Sequence, residues 1–157
     1  RGEEFVTRKI TKGLCEIKLK KRSALELGNL DSKRDWGFAG DYVEGMWKIL
    51  QQSKPDDFVL ATNKSCSIRE FINHACKSLN IKIAWKGKGL KEKGIDLSNN
   101  KTIIKINSKF YRPSEVHSLK GNYQKAKKIL KWRPKTLLKD LVNLMIREDL
   151  KRLQKNL

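Results

Sequence analysis

The chain has 157 residues, of which 38% are hydrophobic, which is enough for the core of one domain or of a large part of a bigger protein. Lysine and arginine number 36 against 17 aspartates and glutamates, so the formal net charge is +19 and an anionic partner is the first hypothesis. No apolar run approaches the roughly 18 residues of a membrane-spanning helix, and the three cysteines form no CxxC pair, which argues against a disulfide framework and a zinc site.

Apolar spacing predicts the first elements in chain order. Val6, Ile10, Leu14 and Ile17 recur at intervals of three or four residues, which indicates an amphipathic helix over about residues 5–20. A short strand at 24–27 and a turn at Gly28 follow. The next helix begins near Asp41, a candidate N-cap. Its apolar face comprises Val43, Met46, Trp47 and Leu50.

The run FVLAT at 58–62 predicts a strand that is covered on both faces, because its apolar residues are consecutive. A helix follows it directly. Ser67 is a good N-cap and Glu70 stands three residues later, which is the capping-box pattern. This part of the chain therefore reads as a strand followed by a helix.

The last half alternates strands, a loop and helices. Residues 81–85 and 102–106 predict strands with a loop rich in glycine and lysine between them, and 123–130 and 137–153 predict helices. The fold class is therefore α/β. One buried parallel strand cannot form a sheet alone, so we expect a C-terminal part of a larger α/β protein, in agreement with a first residue that is not methionine.

Catalytic candidates are few. His74 lies in a helical stripe and His117 follows a proline-containing loop, and neither has a nucleophile or carboxylate partner in a recognisable motif. A structural or surface role is the better interpretation of both. Neither GxGxxG nor GxxxxGK[ST] occurs, so a cofactor cradle would have to come from other sequence.

Three arginines stand in or near loops. They are Arg1, Arg34 and Arg112, and Glu115 follows the last of them closely. Guanidinium groups bind phosphate oxygens in a bidentate manner, and a carboxylate suits the vicinal hydroxyls of a ribose. The set indicates a nucleotide diphosphate site. The alternative for any single arginine, such as Arg34 beside Asp35, is a surface ion pair.

Five segments occur in one order that resembles the GDP-mannose 4,6-dehydratases, a family of extended short-chain dehydrogenases/reductases. They are RGEEFVTRKIT, LGNLDSKRDWGFAGDYVEGMW, DDFVLAT, FYRPSEV and KAKKILKWRPK. The resemblance runs through the whole chain, with only the loop around 88–101 and the last few residues indistinct. Asn122, His117 and Ser118 depart from the usual pattern without affecting a position assigned to substrate.

The resemblance implies that residues 1–157 are the C-terminal, nucleotide-sugar-binding part of such an enzyme, and that the N-terminal Rossmann half lies outside this sequence. Residues of roughly 36–80 would pack back on that half and complete its sheet. The expected assembly of the whole protein is a homo-oligomer, a dimer or a tetramer. The expected compartment is the cytoplasm, and neither a membrane nor a nucleic-acid partner is expected.

The resemblance also implies the reaction. Such enzymes oxidise C4 of GDP-mannose with NADP, eliminate water across C5 and C6, and return the hydride to C6, which yields GDP-4-dehydro-6-deoxymannose. Their Thr and Glu acid/base pair and the Tyr of YxxxK are expected to lie outside this chain, so no catalytic residue is assigned here.

Carried onto this chain, the family's ligand contacts fall on seven residues. Arg1 would contact the cofactor, NADP. The other six would contact the GDP moiety, with the arginines on the diphosphate, Glu115 on the ribose and Leu27 near the base; they are Val6, Lys9, Leu27, Arg34, Arg112 and Glu115.

Three alternatives remain open from the sequence. The first is a GDP-6-deoxy-4-keto-mannose reductase of the same family, which shares the nucleotide-sugar site. The second is a nucleic-acid-binding module driven by the +19 charge, and the third is a regulatory piece that functions unattached.

Overall fold

The computed structural model describes residues 2–111 and 116–155. Within this part, the helices are α1 (Val6–Lys18), α2 (Ala39–Leu50), α3 (Ile68–Ser78), α4 (Gln124–Ile129) and α5 (Leu138–Lys155). The strands are β1 (Leu25–Leu27), β2 (Lys33–Arg34), β3 (Cys66–Ser67), β4 (Ile83–Lys86), β5 (Lys93–Asp96) and β6 (Lys101–Ile106). All five helices were predicted from apolar spacing, with ends that shift by one to three residues.

The strands form a four-stranded sheet in the order β1-β6-β5-β4 and a two-stranded sheet of β2 and β3. β1 runs parallel to β6, whereas the β4–β5 and β5–β6 pairs are antiparallel. The predicted α/β class is confirmed. β5 was expected to be part of a loop because its sequence, KGID, carries residues that are depleted in strands.

The main core lies between the sheet and helices α1, α3 and α5. Ile10, Leu14, Phe71, Ile104 and Ile146 are fully or almost fully buried there. Helix α3 begins as predicted, because the Ser67 side chain accepts from the Glu70 amide while Glu70 accepts from the Ser67 amide. The apolar face of α3 therefore packs within this chain.

A buried ion pair joins α1 to α5. Asp149 is 2% exposed, and one of its carboxylate oxygens lies 2.9 Å from Nη2 of Arg8. Its other oxygen accepts a 2.7 Å hydrogen bond from the Thr11 hydroxyl, which is also fully buried. This contact fixes the orientation of α1 and hence of the side chains in its first turns.

No strand forms at FVLAT, residues 58–62, within this chain, and the strand prediction placed its neighbouring strands outside this sequence. A strand needs a neighbour that satisfies its backbone groups, and none of the described strands pairs with this segment. Phe58 and Leu60 instead pack beside a second, smaller core around Trp132, whereas Val59 is 54% exposed.

Asp41 does not cap α2, contrary to the prediction. The N-cap is Phe38, and Asp41 is the third residue of the helix. Its buried carboxylate accepts hydrogen bonds of 2.9 and 2.8 Å from the amides of Lys135 and Thr136, and its carbonyl accepts from the Trp132 indole. Asp41 therefore ties α2 to the segment that precedes α5.

The predicted apolar face of α2 is exposed. Val43, Met46, Trp47 and Leu50 are between 56% and 81% exposed, which is unusual for four large apolar side chains on one helix. None of the helices in the described ranges combines the length and the hydropathy of a bilayer-spanning segment.

Candidate nucleotide site

A cavity of about 440 Å³ lies at the N-terminal end of α1 and the C-terminal end of β1. We call it the α1–β1 cavity. Its walls come from the first turns of α1, the turn after β1, the β2 strand and the short helical turn at 108–110. All four described residues that were assigned to the GDP moiety line it, namely Val6, Lys9, Leu27 and Arg34.

Lys9 supplies one positive charge to this cavity. Its Nζ lies 3.5 Å from the centroid of the Phe110 ring, a cation–π contact. Burial lowers the pKa of Lys9, and the nearby charge of Arg22 lowers it further. Both effects disfavour the ammonium form, so an anion bound in the cavity would stabilise that form.

Arg34 supplies the second positive charge, from β2. Its Nη1 donates hydrogen bonds of 2.8 Å to the carbonyl of Lys33 and 2.7 Å to that of Val116. Hydrogen bonds between the backbone of Lys33 and the backbone of residues 117 and 119 hold the segment 116–119, which contains Val116, beside β2. These two carbonyls orient the guanidinium at the edge of the cavity.

Asp35 is occupied elsewhere, so the alternative in which it simply neutralises Arg34 loses support. Its carboxylate accepts from the Thr62 amide and hydroxyl, the Asn63 amide and the Gly121 amide, at 2.5 to 3.2 Å. It joins three separate segments next to Arg34.

Gly28 allows the cavity to close on one side. A Cβ at this position would collide with the backbone carbonyl of Phe110. Two hydrogen bonds from Asn107 hold the turn at Gly28 close to Phe110. The Asn107 amide donates to the Leu27 carbonyl at 2.8 Å, and the Asn107 side chain donates to the Glu26 carboxylate at 2.7 Å. The sequence signalled the glycine only as a turn, and it gave no sign that Phe110 would face Lys9.

A second, larger cavity of about 670 Å³ lies on the other side of Arg34. Apolar and aromatic side chains from α2, α5 and the loop before α2 form much of its wall, with Trp36, Phe38, Tyr42, Leu141 and Met145 among them. Reasoning from the sequence missed it, because its walls come from segments more than 100 residues apart. Arg34 borders both cavities.

Three of the predicted contacts, Arg1, Arg112 and Glu115, lie outside the described residues. His74 is half-buried in α3, and His117 is exposed and uses its carbonyl to accept from the Lys33 amide. Within the described ranges, no three His, Cys, Asp or Glu side chains are grouped so that they could hold a metal ion.

One expectation about catalytic motifs needs correction. The Tyr-x-x-x-Lys spacing does occur once, at Tyr123 and Lys127. Tyr123 directly precedes α4, and its ring packs edge-on against Trp132 with 5.9 Å between centroids. Lys127 is exposed. Tyr123 packs against the smaller core, and neither Tyr123 nor Lys127 lines either of the two cavities.

Comparison with known proteins gives a consistent family. Residues 1–145 match the family described as GDP-mannose 4,6 dehydratase. The chain is 47% identical over 156 residues to the GDP-mannose 4,6 dehydratase of Drosophila melanogaster, 48% over 150 residues to that of Dictyostelium discoideum and 42% over 156 residues to that of Homo sapiens. These alignments cover 96% to 99% of this chain but only 40% to 42% of the relatives.

Solved structures share the fold at low sequence identity. The structure of RMD from Pseudomonas aeruginosa complexed with NADPH matches with a TM-score of 0.77 at 15% identity, over 97% of this chain and 44% of that one. The dTDP-glucose 4,6-dehydratase of Bacillus anthracis in complex with NAD matches with a TM-score of 0.72 at 13% identity, over 99% and 42%.

Proposed function

The chain belongs to the GDP-mannose 4,6-dehydratase family, and we propose that it is the nucleotide-sugar-binding part of such an enzyme. The proposed reaction of the whole protein converts GDP-mannose to GDP-4-dehydro-6-deoxymannose, which makes it a lyase. The names of the relatives support this substrate. Because the chain spans about 40% of their length, the acid/base and proton-transfer groups are proposed to lie in the rest of the protein.

The proposed cofactor is NADP, with Arg1 as its contact in this chain. The titles of two solved structures of the same fold name NADPH and NAD, which supports a nicotinamide cofactor. When bound, this group would accept the hydride from C4 of the sugar and later return a hydride to C6. The described residues line the α1–β1 cavity, and their proposed task is to hold and orient the GDP moiety.

One observation carries the assignment of the GDP moiety. Four residues that the family resemblance assigns to the GDP moiety come from three separate elements and line the same α1–β1 cavity, with two cations and two apolar side chains. The diphosphate is proposed to bind Arg34 and Lys9, and the base to pack near Leu27 and Val6. Arg112 and Glu115 are proposed to complete the site on the diphosphate and the ribose.

Two of the alternatives, the reductase and the nucleic-acid-binding module, are less well supported. The reductase of the same family shares this kind of site, but the matching family and the relatives compared above carry the dehydratase name. A nucleic-acid-binding module would not explain why two apolar side chains, Val6 and Leu27, line the compact α1–β1 cavity. Oligomerisation and a cytoplasmic location remain proposals that follow from the resemblance.

Titration of the complete enzyme with GDP, ADP and GMP tests this function. We expect GDP to bind at least tenfold more tightly than ADP, because a base-specific cavity leaves polar groups unpaired with the wrong base. GMP should bind more weakly than GDP, because it lacks the second phosphate. Equal affinities for GDP and ADP would contradict the assignment of the α1–β1 cavity to the GDP moiety. Affinities that depend on the salt concentration but not on the nucleotide would indicate non-specific electrostatic binding instead.

We also propose that a Rossmann half outside this sequence covers the exposed face of α2 and the segment 58–62. The sequence-based expectation named about 36–80, but α3 already buries its apolar side within this chain. Within 36–80, the exposed large apolar side chains are the four of α2 and Val59. About 60% of the length of the relatives has no counterpart in this chain, which is ample for a partner domain.

Without that half, the 157-residue chain should self-associate. Replacing Met46 and Leu50 together by serine should shift its sedimentation towards the monomer, because exposed apolar area drives association. The matched control makes the same replacement by serine at Leu90 and Leu97, which are each 58% exposed and lie outside the apolar face of α2. A wild-type chain that is monomeric and melts cooperatively would contradict the proposal.

A further inference from the structure

Three lysines lie side by side across the open face of the sheet. In the strand register, Lys93 on β5 is directly opposite Lys105 on β6 and Lys86 on β4. Residues that are directly opposite on neighbouring strands share a face and stand about 5 Å apart. Glu26 on β1 ends this row as the partner of Lys105. Three adjacent cations therefore share one acid.

Such a row is unfavourable by itself, because like charges directly opposite in a sheet repel. All three lysines are exposed, and none has an ion-pair partner among the described residues. The nearby Glu26 carboxylate also accepts a hydrogen bond from Asn107. Glu26 offsets only part of the repulsion among three lysines, and a bound polyanion would offset more of it.

The same face contains a groove of about 1000 Å³ between the end of α1 and the β5–β6 pair. We call it the basic groove. Six of its lining residues are cationic: Arg22, whose Nε is already paired with Glu16 at 2.7 Å, and the lysines Lys18, Lys20, Lys93, Lys101 and Lys105. The acid in its lining is Asp96, whose carboxylate is already bound by the Ser98 amide and hydroxyl and by the Asn99 side chain.

The groove is distinct from the α1–β1 cavity but adjoins it. A shallower cavity of about 400 Å³, lined by Lys9, Arg22, Lys105 and Phe110 among others, lies between the two. The groove itself has no aromatic lining residue on which a base could stack.

We propose that the basic groove is a second anion site, which binds the phosphate chain of a small polyphosphate, free or carried by a nucleoside. Several flexible ammonium groups suit a ligand with several closely spaced charges and no fixed planar geometry. The lack of aromatic side chains means that the phosphates are recognised and the base is not. This site goes beyond the proposed GDP site and involves neither Arg34 nor Leu27.

Calorimetric titration of the complete enzyme with tripolyphosphate at low ionic strength tests the site. Lys93→Gln/Lys105→Gln should weaken binding about tenfold, because each exposed ion pair contributes modestly. The matched control is Lys127→Gln/Lys128→Gln, which removes the same amount of charge from two exposed lysines on α4 that do not line the basic groove. This control should change the affinity for tripolyphosphate less than twofold. Equal losses in both double variants, or none in the first, would overturn the proposal.

Two further arms separate this site from the GDP site and identify its ligand. Arg34→Gln should leave tripolyphosphate binding unchanged while it weakens GDP binding, and a parallel loss of both would assign the polyphosphate to the α1–β1 cavity and overturn the inference. ATP should bind the groove about as tightly as tripolyphosphate. Tighter binding of ATP that is lost in Lys93→Gln/Lys105→Gln would show that the base is also bound and would contradict recognition of the phosphates alone.

Discussion

Replacing Arg34 by alanine should reduce the affinity of the complete enzyme for GDP about tenfold to a hundredfold. The guanidinium borders the α1–β1 cavity and is oriented by two backbone carbonyls at 2.8 and 2.7 Å. A charge-assisted hydrogen bond to a phosphate contributes roughly 1.5 to 3 kcal/mol, which corresponds to this range of affinity. Isothermal titration with GDP measures the effect directly.

The Arg34→Lys variant tests the geometry as well as the charge. Lysine keeps the positive charge but cannot place two parallel N–H groups on one phosphate, so we expect only partial recovery of the affinity. Circular dichroism and NADP binding serve as controls and should match the wild type. GDP binding at wild-type affinity in Arg34→Ala would exclude the diphosphate contact.

The helices and the approximate place of the site could be predicted because their signals are local. The spacing of Ile10 and Leu14, and the capping box at Ser67 and Glu70, depend on residues a few positions apart. Each element is stabilised in the conformation that its own sequence favours. The assignment of Lys9 and Arg34 to the GDP moiety has a different basis, namely the resemblance of their segments to the family, and it stays a prediction.

The failed predictions depend on contacts between distant segments. FVLAT has the composition of a buried strand, but the described chain provides no partner strand for it, and the prediction expected those partners outside this sequence. Asp41 has the residue type of an N-cap, but the amides that it accepts from belong to residues 135 and 136. The approach of Phe110 to Gly28 is likewise a long-range contact, for which no local pattern exists.

The cavity also depends on a contact that its own residues do not reveal. Val6 and Lys9 stand on the first turns of α1, and the orientation of α1 is fixed from α5 by Asp149. This acid is 138 residues from Thr11, whose hydroxyl it binds at 2.7 Å. Stability and ligand geometry thus share one buried pair, which leads to the second large effect.

Asp149→Ala should lower the free energy of unfolding by about 3 kcal/mol, because removal of one partner leaves a buried charge without compensation. Arg8 is only 20% exposed on its side chain and its Nε is already buried without a hydrogen-bond partner. The fully buried hydroxyl of Thr11 would lose its 2.7 Å acceptor as well. Urea denaturation followed by tryptophan fluorescence measures the loss.

The neighbouring acid Glu148 provides the matched control for this prediction. Its ion pairs with Arg147 and Lys151, at 3.5 and 3.4 Å, are on the surface, with 43% of the Glu148 side chain exposed. Surface pairs of this kind contribute about 0.5 kcal/mol or less, so Glu148→Ala should be close to the wild type. Asp149→Asn should fall between the two, because it can still accept from Thr11 but cannot neutralise Arg8. If Asp149→Ala unfolded within 1 kcal/mol of Glu148→Ala, the α1–α5 pair would not be what holds Lys9 and Val6 in the cavity wall.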